Sequence, residues 1–480
     1  MNQIARIALA LPLMAGAAYA DPTFTVLVRE NDSLTLGNVT SVDAVAVNNS
    51  GQWVAHVVTD NPDPDANACL LRDGVIYARK GMSLTSPAGA TITGFNDLAM
   101  NNLGDFAWSW TLNTGDTSTD AGLFFNDVLV IQKGTLSNSP DFTPPTPYTQ
   151  FFGAKINDLN QILFVATVDD PTIITPTDRT IVLLDYDPGT NTYVETVLAK
   201  EGEVREGTTR MIQELGTEDQ EFALNNNGES MYVTEVATGT ADAYYINSRV
   251  VIREGQPSIE PGRNWEQIAN GRPLDINNNG DYVFRANISG DASDDEMIVR
   301  NEEIFVREGQ SLPAISPFTI VDFGSNAPIY IDDLGNVLWY GTWNDPDTTR
   351  NKGLFLNHEL LIQDGVTTIN GELVQAVRGV PRGFKMSDDG SHIIVRVELA
   401  GGIDAAVMIT FDSGPTCGTA DFDGDGDIGT DADIEAFFAC LAGNCCDTCY
   451  SGGADFNADG DIGTDADIEA FFRVLAGGEC

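Results

Sequence analysis

Two short acidic segments near the C terminus have residue types and a spacing that suggest metal binding. Residues 421–443 and 455–477 differ at only four of 23 positions, at an offset of 34, so they are a tandem duplication. Each copy opens with acidic or amide side chains at alternate positions, followed by a glycine: Asp421, Asp423, Asp425 and Gly426, then Asp455, Asn457, Asp459 and Gly460. Calcium takes about six to eight oxygen ligands, which alternate residues of a tight loop can supply. The pattern therefore predicts two calcium loops.

The acid that closes each loop is left open by the spacing. An EF-hand has a bidentate glutamate at loop position twelve, whereas this sequence has alanine there, between two aspartates. If the apolar residue after the second aspartate begins the helix core, Asp433 and Asp467 close loops that are one residue longer. The candidate calcium ligands are Asp421, Asp423, Asp425, Asp427, Asp431, Asp433, Asp455, Asn457, Asp459, Asp461, Asp465 and Asp467.

Each loop precedes a stretch with apolar residues at helical spacing: Ile434, Phe437, Phe438 and Leu441, then Ile468, Phe471, Phe472 and Leu475. Six of the seven cysteines crowd the same region: Cys417, Cys440, Cys445, Cys446, Cys449 and Cys480. This number favours three disulfides, although the sequence does not fix their pairing. A zinc site that includes the Cys446–Cys449 pair is the alternative.

The duplicated loop-helix unit, in which aspartate closes the loop, resembles a dockerin module, the calcium-dependent half of a cohesin–dockerin pair. The resemblance covers residues 417–480 and implies calcium as cofactor. It also implies a cohesin-like protein or another cell-surface component as partner. In dockerins the residues just before the closing acid help to select the cohesin, which implicates Thr430 and Asp431 or Thr464 and Asp465. Dockerins commonly accompany polysaccharide-degrading machinery, so a polysaccharide is a further expected partner.

Composition and the N terminus limit where the protein works. There are 25 Lys and Arg against 71 Asp and Glu, so the net charge is 25 − 71 = −46. Nucleic-acid binding is disfavoured, because phosphate recognition needs a basic surface. Residues 1–20 have an apolar run after Arg6 and end in Ala18-Tyr19-Ala20, which predicts a secretory signal peptide. No later stretch has the about 18–20 apolar residues of a membrane span. We therefore expect a secreted protein, extracellular or at the cell surface.

Upstream of a junction at residues 413–416, the chain contains a repeat. Each copy has an Asn-Asn-x-Gly turn or a relative of it, and in most copies a large residue follows four places after the turn. The seven turns span residues 48–51, 101–104, 157–160, 225–228, 277–280, 332–335 and 387–390. The six large residues are Trp108, Phe164, Tyr232, Phe284, Trp339 and Ile394. The mean spacing is (390 − 51)/6, or about 56 residues, which is typical of a solenoid or propeller.

The repeat predicts an all-β fold over residues 21–413, namely a seven-bladed β-propeller, followed by the small α-helical module of residues 414–480. Residues 24–30 have the form of the last strand that the seventh copy lacks, and a strand that completes the last blade closes the ring. Six or eight blades are alternatives, because the third and fourth turns lie further apart. We interpret the Asn-Asn pairs as tight turns and the large residues as packing between blades.

Charged residues on the strand nearest the predicted central channel are candidates for acid and base chemistry. They are Asp97, Lys155, Glu221, Asp275 and Lys385. Carboxylates and lysines at a channel mouth could act on a sugar, or they could be structural ion pairs. Loops between the second and third strands are also acidic, as at Asp63, Asp116 and Asp291. We interpret these loops as a solvated face, with weak calcium sites or a basic or hydroxyl-rich partner as alternatives.

The chain contains no HExxH, GxSxG, phosphate-loop or dinucleotide motif. We therefore predict a non-catalytic, secreted β-propeller that binds a ligand or acts as a scaffold. Its calcium-dependent tail attaches it to an extracellular assembly or surface. The alternative is a polysaccharide-active hydrolase or lyase with its site at the channel mouth, for which the sequence identifies no catalytic residue.

Overall fold

The computed structural model describes ten segments of the chain, apart from the side chain of Asp97. These segments are residues 22–173, 175, 177–204, 211–236, 242–268, 271–411, 418–446, 448–450, 453–457 and 462–476. The chain divides into two compact units, one spanning Phe24–Thr410 and the other containing Phe411–Cys480. The two units are described separately. The predicted signal peptide and the junction at residues 413–416 lie outside the described residues.

The described strands form seven antiparallel sheets, which follow one another along the chain as the blades of a β-propeller. The first described strand is β1 (Thr23–Arg29). The first blade contains β2 (Ser33–Leu34), β3 (Gly37–Val47), β4 (Trp53–Thr59), β5 (Ala68–Arg72) and β6 (Val75–Arg79). The second contains β7 (Thr91–Met100), β8 (Phe106–Asn113), β9 (Ala121–Phe125) and β10 (Val128–Gln132). The third contains β11 (Tyr148–Ile156), β12 (Gln161–Val168), β13 (Arg179–Asp187) and β14 (Thr192–Lys200).

The next two blades have a first strand that is broken into two short pieces. The fourth blade contains β15 (Ile212–Leu215), β16 (Phe222–Leu224), β17 (Ser230–Val236), β18 (Ala243–Ile246) and β19 (Arg249–Arg253). The fifth contains β20 (Trp265–Glu266), β21 (Leu274–Ile276), β22 (Tyr282–Ile288), β23 (Glu296–Arg300) and β24 (Glu303–Arg307). A single 3₁₀ turn, Asp219–Glu221, precedes β16.

The last two blades repeat this arrangement, after a 3₁₀ turn at Pro313–Ile315. The sixth blade contains β25 (Ile320–Asp322), β26 (Tyr330–Ile331), β27 (Val337–Trp343), β28 (Lys352–Leu356) and β29 (Glu359–Gln363). The seventh contains β30 (Thr368–Ile369), β31 (Glu372–Val377), β32 (Phe384–Met386), β33 (His392–Leu399) and β34 (Ile403–Thr410).

The N-terminal strand closes the ring. β1 pairs with β34, so it is the outermost strand of the seventh blade. Arg29 of β1 also donates two hydrogen bonds to Glu372 of β31, at 2.6 and 2.9 Å. The predicted seven-bladed β-propeller is therefore confirmed.

The large residues that follow the Asn-rich turns lie in the second strand of their blades and fill the propeller core. Trp108, Phe164, Tyr232, Phe284, Trp339 and Ile394 are all at most 1% exposed. In the sixth blade, the ring of Trp339 stacks on Phe355 of β28 at 4.3 Å between centroids. In six of the seven blades the large residue also shares a hydrophobic cluster with a neighbouring blade, as Trp108 does with Val54 and Leu70 of the first blade. The packing interpretation is confirmed.

The short turn between the third and fourth strands explains another recurring residue of the repeat. In five blades this turn begins with Asn or Asp at positive φ: Asp73, Asn126, Asn247, Asn301 and Asn357. Each of these side chains accepts the backbone N–H of the first residue of the blade's second strand, at 2.8 to 3.0 Å. Asn and Asp tolerate the left-handed region and can also accept this bond, which few other side chains can do.

The C-terminal unit has two described helices, α1 (Asp431–Leu441) and α2 (Asp465–Leu475). Their core consists mainly of aromatic side chains, and Phe437 stacks on Phe471 at 4.1 Å between centroids. Disulfides join Cys440 to Cys445 and Cys446 to Cys449. The pair proposed as zinc ligands is thus oxidised. Cys417 and Cys480 lie outside the described residues, and Cys69 is a buried free thiol in the propeller. No helix among the described residues is long and apolar enough to cross a membrane.

Candidate functional site

The seven Asn-rich turns form a hydrogen-bonded ring around the propeller axis. The second residue of each turn is Asn or Asp. At five junctions its side-chain oxygen accepts the backbone N–H of the equivalent residue in the preceding turn, at 2.7 to 3.1 Å. The last two junctions run from the Asp333 N–H to the Asp388 carbonyl oxygen, at 2.7 Å, and from the Asp389 N–H to Asn49 Oδ1, at 3.2 Å. The ring therefore passes through all seven blades.

The first residue of each turn holds its own turn and the next one. Asn225, which is 3% exposed, accepts the N–H groups of Asn227 and Glu229 at 3.0 and 2.8 Å. Its amide nitrogen donates to the carbonyl oxygen of Asn277 in the following turn, at 2.8 Å. The same link to the next turn is made by Asn48, Asn101, Asn157 and Asn277. The sequence predicted a turn here, but not this connection between blades.

The side chain of Asp388 extends across the channel at the level of the Asn-rich turns. Its Oδ2 atom accepts hydrogen bonds from Asn102 Nδ2 at 2.9 Å and from Asn226 Nδ2 at 3.1 Å. These two residues belong to the second and fourth blades, which are not neighbours of the seventh, so the bonds cross the axis. Below them lies a cavity of about 80 Å³, lined by residues of all seven blades.

Lys155 forms a buried ion pair. Its Nζ lies 2.5 Å from Asp219 Oδ1, and the two side chains are 10% and 13% exposed. Lys155 also lies over the ring of Phe222, at 5.3 Å from the centroid. Burial opposes ionisation of Asp219, but Lys155 and Lys385 outweigh it and hold the pKa of that carboxyl below its ordinary value. The pair is therefore charged and internally satisfied.

Lys385 separates the axial cavity from a second one. Both cavities are lined by Lys385 and Tyr330, and the second has a volume of about 10 Å³. The Nζ of Lys385 lies 4.6 Å from the centroid of the Tyr330 ring, a cation–π contact. Burial, together with the charge of Lys155, lowers the pKa of Lys385.

The other charged residues predicted at the channel are Glu221, Asp275 and Asp97, and they differ in their surroundings. Glu221 is 5% exposed and accepts two backbone N–H groups, from Gly271 at 2.6 Å and from Glu218 at 2.9 Å. Among the described residues it is not one that lines the axial cavity, and both of these bonds hold the local backbone. Asp275 lines the cavity and accepts the N–H of Ile331 at 3.0 Å. The side chain of Asp97 lies outside the described residues.

Asp275 predicts a pH dependence of stability. Burial raises the pKa of its carboxyl to about 6, from 3.8, despite the opposing effect of Lys385 and the Ile331 N–H. Ionising this acid therefore costs folding free energy; the cost is absent below about pH 4 and complete above about pH 6. We expect Asp275→Asn to stabilise the propeller above pH 6 by up to about 3 kcal/mol and to have little effect near pH 4. Urea unfolding at several pH values measures the difference. Parallel pH profiles for the two proteins would contradict it.

The acidic loops are shaped by their own carboxylates. Asp116, Asp291 and Asp347 each accept the N–H and the hydroxyl of the Ser or Thr two residues on, at 2.6 to 3.1 Å. Cations at the ends of the outer strands pair with further acids of these loops, as Lys133 does with Asp120 at 2.8 Å. Among the described residues, the one group of three acids whose ligand atoms converge lies elsewhere, in the C-terminal unit.

That group consists of Asp421, Asp423 and Asp433, whose carboxylate oxygens lie within 4.8 Å of one another. Asp433 is the acid that the longer loop predicts as its closing ligand, and it is fully buried. Asp431 is instead exposed at the first position of α1. Asp425 and Asp427 are also exposed. The geometry therefore favours Asp433 over Asp431 as the end of the first loop.

The Asp433 carboxylate also organises the start of α1. Its Oδ1 accepts the Phe422 N–H at 2.7 Å, and its Oδ2 accepts the N–H and hydroxyl of Thr430 at 2.7 and 3.0 Å. Burial alone would raise the pKa of Asp433, but these bonds outweigh it and keep the pKa below its ordinary value. Asp467 forms the same bonds with Thr464 in the second copy, at 2.7 and 2.9 Å.

The donor set fits calcium. Asp421 Oδ1 is buried and has no hydrogen-bond partner among the described residues. A buried carboxylate oxygen without a donor is costly, unless a cation supplies the missing interaction. The repulsion among the carboxylates also favours a bound cation. Burial and the charges of Asp425, Asp433 and Asp421 raise the pKa of Asp423. In the second loop Asp455, Asn457, Asp465 and Asp467 are described, whereas Asp459 and Asp461 lie outside the described residues.

The sequence did not predict a role in the channel for three residues: Asp219, Tyr330 and Asp388. Asp219 lies between the two pieces of the first strand of the fourth blade, in a segment without a counterpart in the repeat, so nothing in the sequence indicated its contact with Lys155. Asp388 had a detectable signal. The second residue of every turn is Asn or Asp, whereas the third varies among Ser, Leu, Asn and Asp. A tight turn alone does not require that restriction at the second position.

Comparison with protein families and with curated proteins gives no match. Among solved structures, the chain is similar to the β-propeller domain of the Trilobed protease from Pyrococcus furiosus. The identity is 12% over 69% of this chain and 99% of that one, with a TM-score of 0.33. It is also similar to a gluconolactonase from Xanthomonas campestris, at 10% identity over 85% and 99% of the chains and a TM-score of 0.29. A third similar structure is an α-L-arabinofuranosidase from Fusarium graminearum, at 8% identity over 82% of this chain and 98% of that one, with a TM-score of 0.30. Similarity at this level says nothing about activity.

Proposed function

We propose that this is a secreted, non-catalytic binding or scaffold protein. In this proposal its β-propeller engages a ligand, and its C-terminal dockerin-like unit binds calcium. The calcium-loaded unit attaches the protein to a cohesin-like protein or another component of an extracellular assembly or cell surface. The converging carboxylates of Asp421, Asp423 and Asp433, with the partnerless Oδ1 of Asp421, carry the calcium part of the proposal.

The contacts in the channel support a structural role for its charges. Lys155 is paired with Asp219, and Glu221 accepts hydrogen bonds from two backbone N–H groups. The axial cavity of about 80 Å³ is also far below the about 300–1,000 Å³ of pockets that bind small molecules. A sugar residue would therefore have to displace the Asp388 bonds to Asn102 and Asn226 before it could reach Asp275 or Lys385.

Calcium titration calorimetry of the full chain tests the calcium-dependent tail. We expect two binding sites in the wild type and none in a variant that carries both Asp433→Ala and Asp467→Ala. The matched control changes the exposed neighbours instead, Asp431→Ala and Asp465→Ala, and should keep both sites. Absence of any calcium binding by the wild type would overturn the proposed attachment mechanism.

A sugar-release assay separates the proposal from the hydrolase or lyase alternative. The full chain is incubated with cellulose, xylan and chitin, and soluble sugar is measured against a heat-inactivated sample. We expect no release above that background. Release by the wild type that Asp275→Asn removes would overturn the non-catalytic role and support a catalytic site in the channel.

A further inference from the structure

The propeller has a polar cleft of about 350 Å³ between its fifth and sixth blades. Its wall consists of charged, amide and hydroxyl side chains and one glycine: Gln267, Arg272, Arg285, Glu296, Asp322, Gly324, Ser325 and Asn326. Its volume falls within the range of small-molecule sites, unlike that of the axial cavity. The cleft is thus the better candidate for the ligand site of the propeller.

Arg285 forms the floor of the cleft and is 3% exposed. Its Nη1 donates to the carbonyl oxygens of Phe323 and Gly324 in the sixth blade, at 3.2 and 2.5 Å. In the other six blades the equivalent residue, five places after the turn, is His56, Ser109, Val165, Val233, Tyr340 or Val395. Ser109 makes a comparable link to the next blade, from its hydroxyl to the Phe152 carbonyl oxygen at 3.0 Å. Joining the blades therefore does not require a buried cation at this position.

A second guanidinium lies beside the first. Arg272 donates from Nη1 to Glu296 Oε1, and the same oxygen lies 3.3 Å from Arg285 Nε. Two cations thus share one carboxylate oxygen. Burial and the charge of Arg272 lower the pKa of Arg285 to about 9. Buried charge clusters contribute little to stability compared with apolar residues of similar volume. The pair in the fifth blade is therefore better explained by ligand binding than by folding.

The charges in the wall of the cleft indicate which chemical class of ligand it can bind. The two guanidinium groups are balanced by the carboxylates of Glu296 and Asp322, and Asp295 and Glu308 act on Arg272 from nearby. Excess carboxylate disfavours an anionic ligand, and the facing guanidinium groups disfavour a cationic one. Among the described residues, the wall offers no apolar side chain to a hydrocarbon. Planar guanidinium, carboxylate and amide groups present paired donors and acceptors, which match the adjacent hydroxyls of a sugar.

We propose that this cleft binds a neutral carbohydrate of mono- or disaccharide size, such as an exposed unit of a polysaccharide. Arg272, Asp322 and Ser325 contact the sugar hydroxyls, whereas Arg285 and Glu296 position Arg272 and the loop of the sixth blade. The inference rests on the binding role given to the propeller in the proposed function, and it adds the site and the ligand class.

Saturation-transfer NMR on the full chain tests the inference. The neutral probes are cellobiose, xylobiose, mannobiose and galactobiose, and the charged comparators are glucuronate and putrescine. We expect transfer to at least one neutral disaccharide and none to the comparators. Ser325→Tyr, at an exposed position in the wall, should block the cleft and weaken binding at least tenfold. Thr117→Tyr, on an exposed loop of the second blade, should leave binding unchanged.

Asp322→Asn supplies a second variant without added bulk, and we expect it to weaken binding by about tenfold as well. Near-ultraviolet circular dichroism shows whether each variant is folded. The inference is overturned if no neutral sugar receives transfer, or if folded Ser325→Tyr and Asp322→Asn both bind like the wild type. Stronger transfer to glucuronate or putrescine would overturn the ligand class. Failure of calcium binding would refute the tail alone, so the two proposals fail separately.

Discussion

Chelation of calcium should raise hydrogen-exchange rates in α1 and α2 by about 100-fold or more, while the rates in the propeller stay unchanged. One calcium site contributes about 2.7 kcal/mol when free calcium is about a hundred times its dissociation constant. The C-terminal unit is small, so a loss of that size from each of two sites removes much of its stability. Mass spectrometry of the full chain with and without chelator measures this, and the propeller peptides are the internal control.

The physical cause of this effect is the repulsion among carboxylates that converge without a cation. Asp421 and Asp423 approach the buried Asp433, whose charge is retained because its hydrogen bonds lower its pKa. Without calcium this cluster keeps its repulsion and a carboxylate oxygen without a donor. The loop then opens, and α1 loses its N-terminal cap with it, because the same carboxylate accepts the bonds of Thr430.

A pair of variants identifies the acid that closes the first loop. In Asp433→Ala we expect the exchange of α1 to be fast and no longer to respond to calcium. Loss of the cap alone costs about 1 kcal/mol, but that cost is the same with and without calcium. Asp431→Ala removes an exposed charge at the helix start, worth about 0.5 kcal/mol, and should keep the full calcium response. If Asp431→Ala abolishes the response and Asp433→Ala does not, the loop ends two residues earlier than the geometry indicates.

Much of the fold could be predicted because its signals are local and repeated seven times. The Asn-rich turn, the large residue four places on and the apolar last strand recur in the chain at nearly constant spacing. A strand at residues 24–30 with the same pattern indicated how the ring closes. The two helices were predictable for the same reason, since the spacing of Phe437 and Phe438 or Phe471 and Phe472 sets their buried faces.

The contacts of the candidate sites were less predictable, because they join residues that are far apart in sequence. Lys155 meets Asp219, 64 residues away, and Asp388 meets Asn102, 286 residues away. Glu221 had the sequence position of a channel residue, but a 3₁₀ turn directs it to the backbone of Gly271. The cleft between the fifth and sixth blades also depends on such contacts, since Arg285 meets the carbonyl oxygens of Phe323 and Gly324, 38 and 39 residues away.

Replacing Asn225 by alanine should destabilise the propeller by about 3–5 kcal/mol. The change removes two acceptor bonds, from the N–H groups of Asn227 and Glu229, and two donor bonds, to the Asn277 carbonyl oxygen and Glu229 Oε2. Asn225 and Asn277 are only 3% and 4% exposed, and each buried polar group left without a partner costs about 1–3 kcal/mol. The loss also breaks one link of the ring around the channel. Denaturant unfolding of the full chain, followed by tryptophan fluorescence, measures the change.

The repeat itself supplies graded controls for this prediction. The first turn residue is Ser387 in the seventh blade, where the hydroxyl oxygen still accepts a backbone N–H, from His392 at 3.0 Å. Asn225→Ser therefore keeps an acceptor and loses the two donor bonds, and we expect it to cost less than Asn225→Ala. Leu103→Ser places at the exposed third position of the second turn the residue found at Ser50, and it should change stability by no more than about 0.5 kcal/mol. If Asn225→Ala costs as little as Leu103→Ser, the inter-turn bond of Asn225 contributes nothing measurable. The recurrence of the Asn-rich turn in this chain would then reflect local turn formation alone.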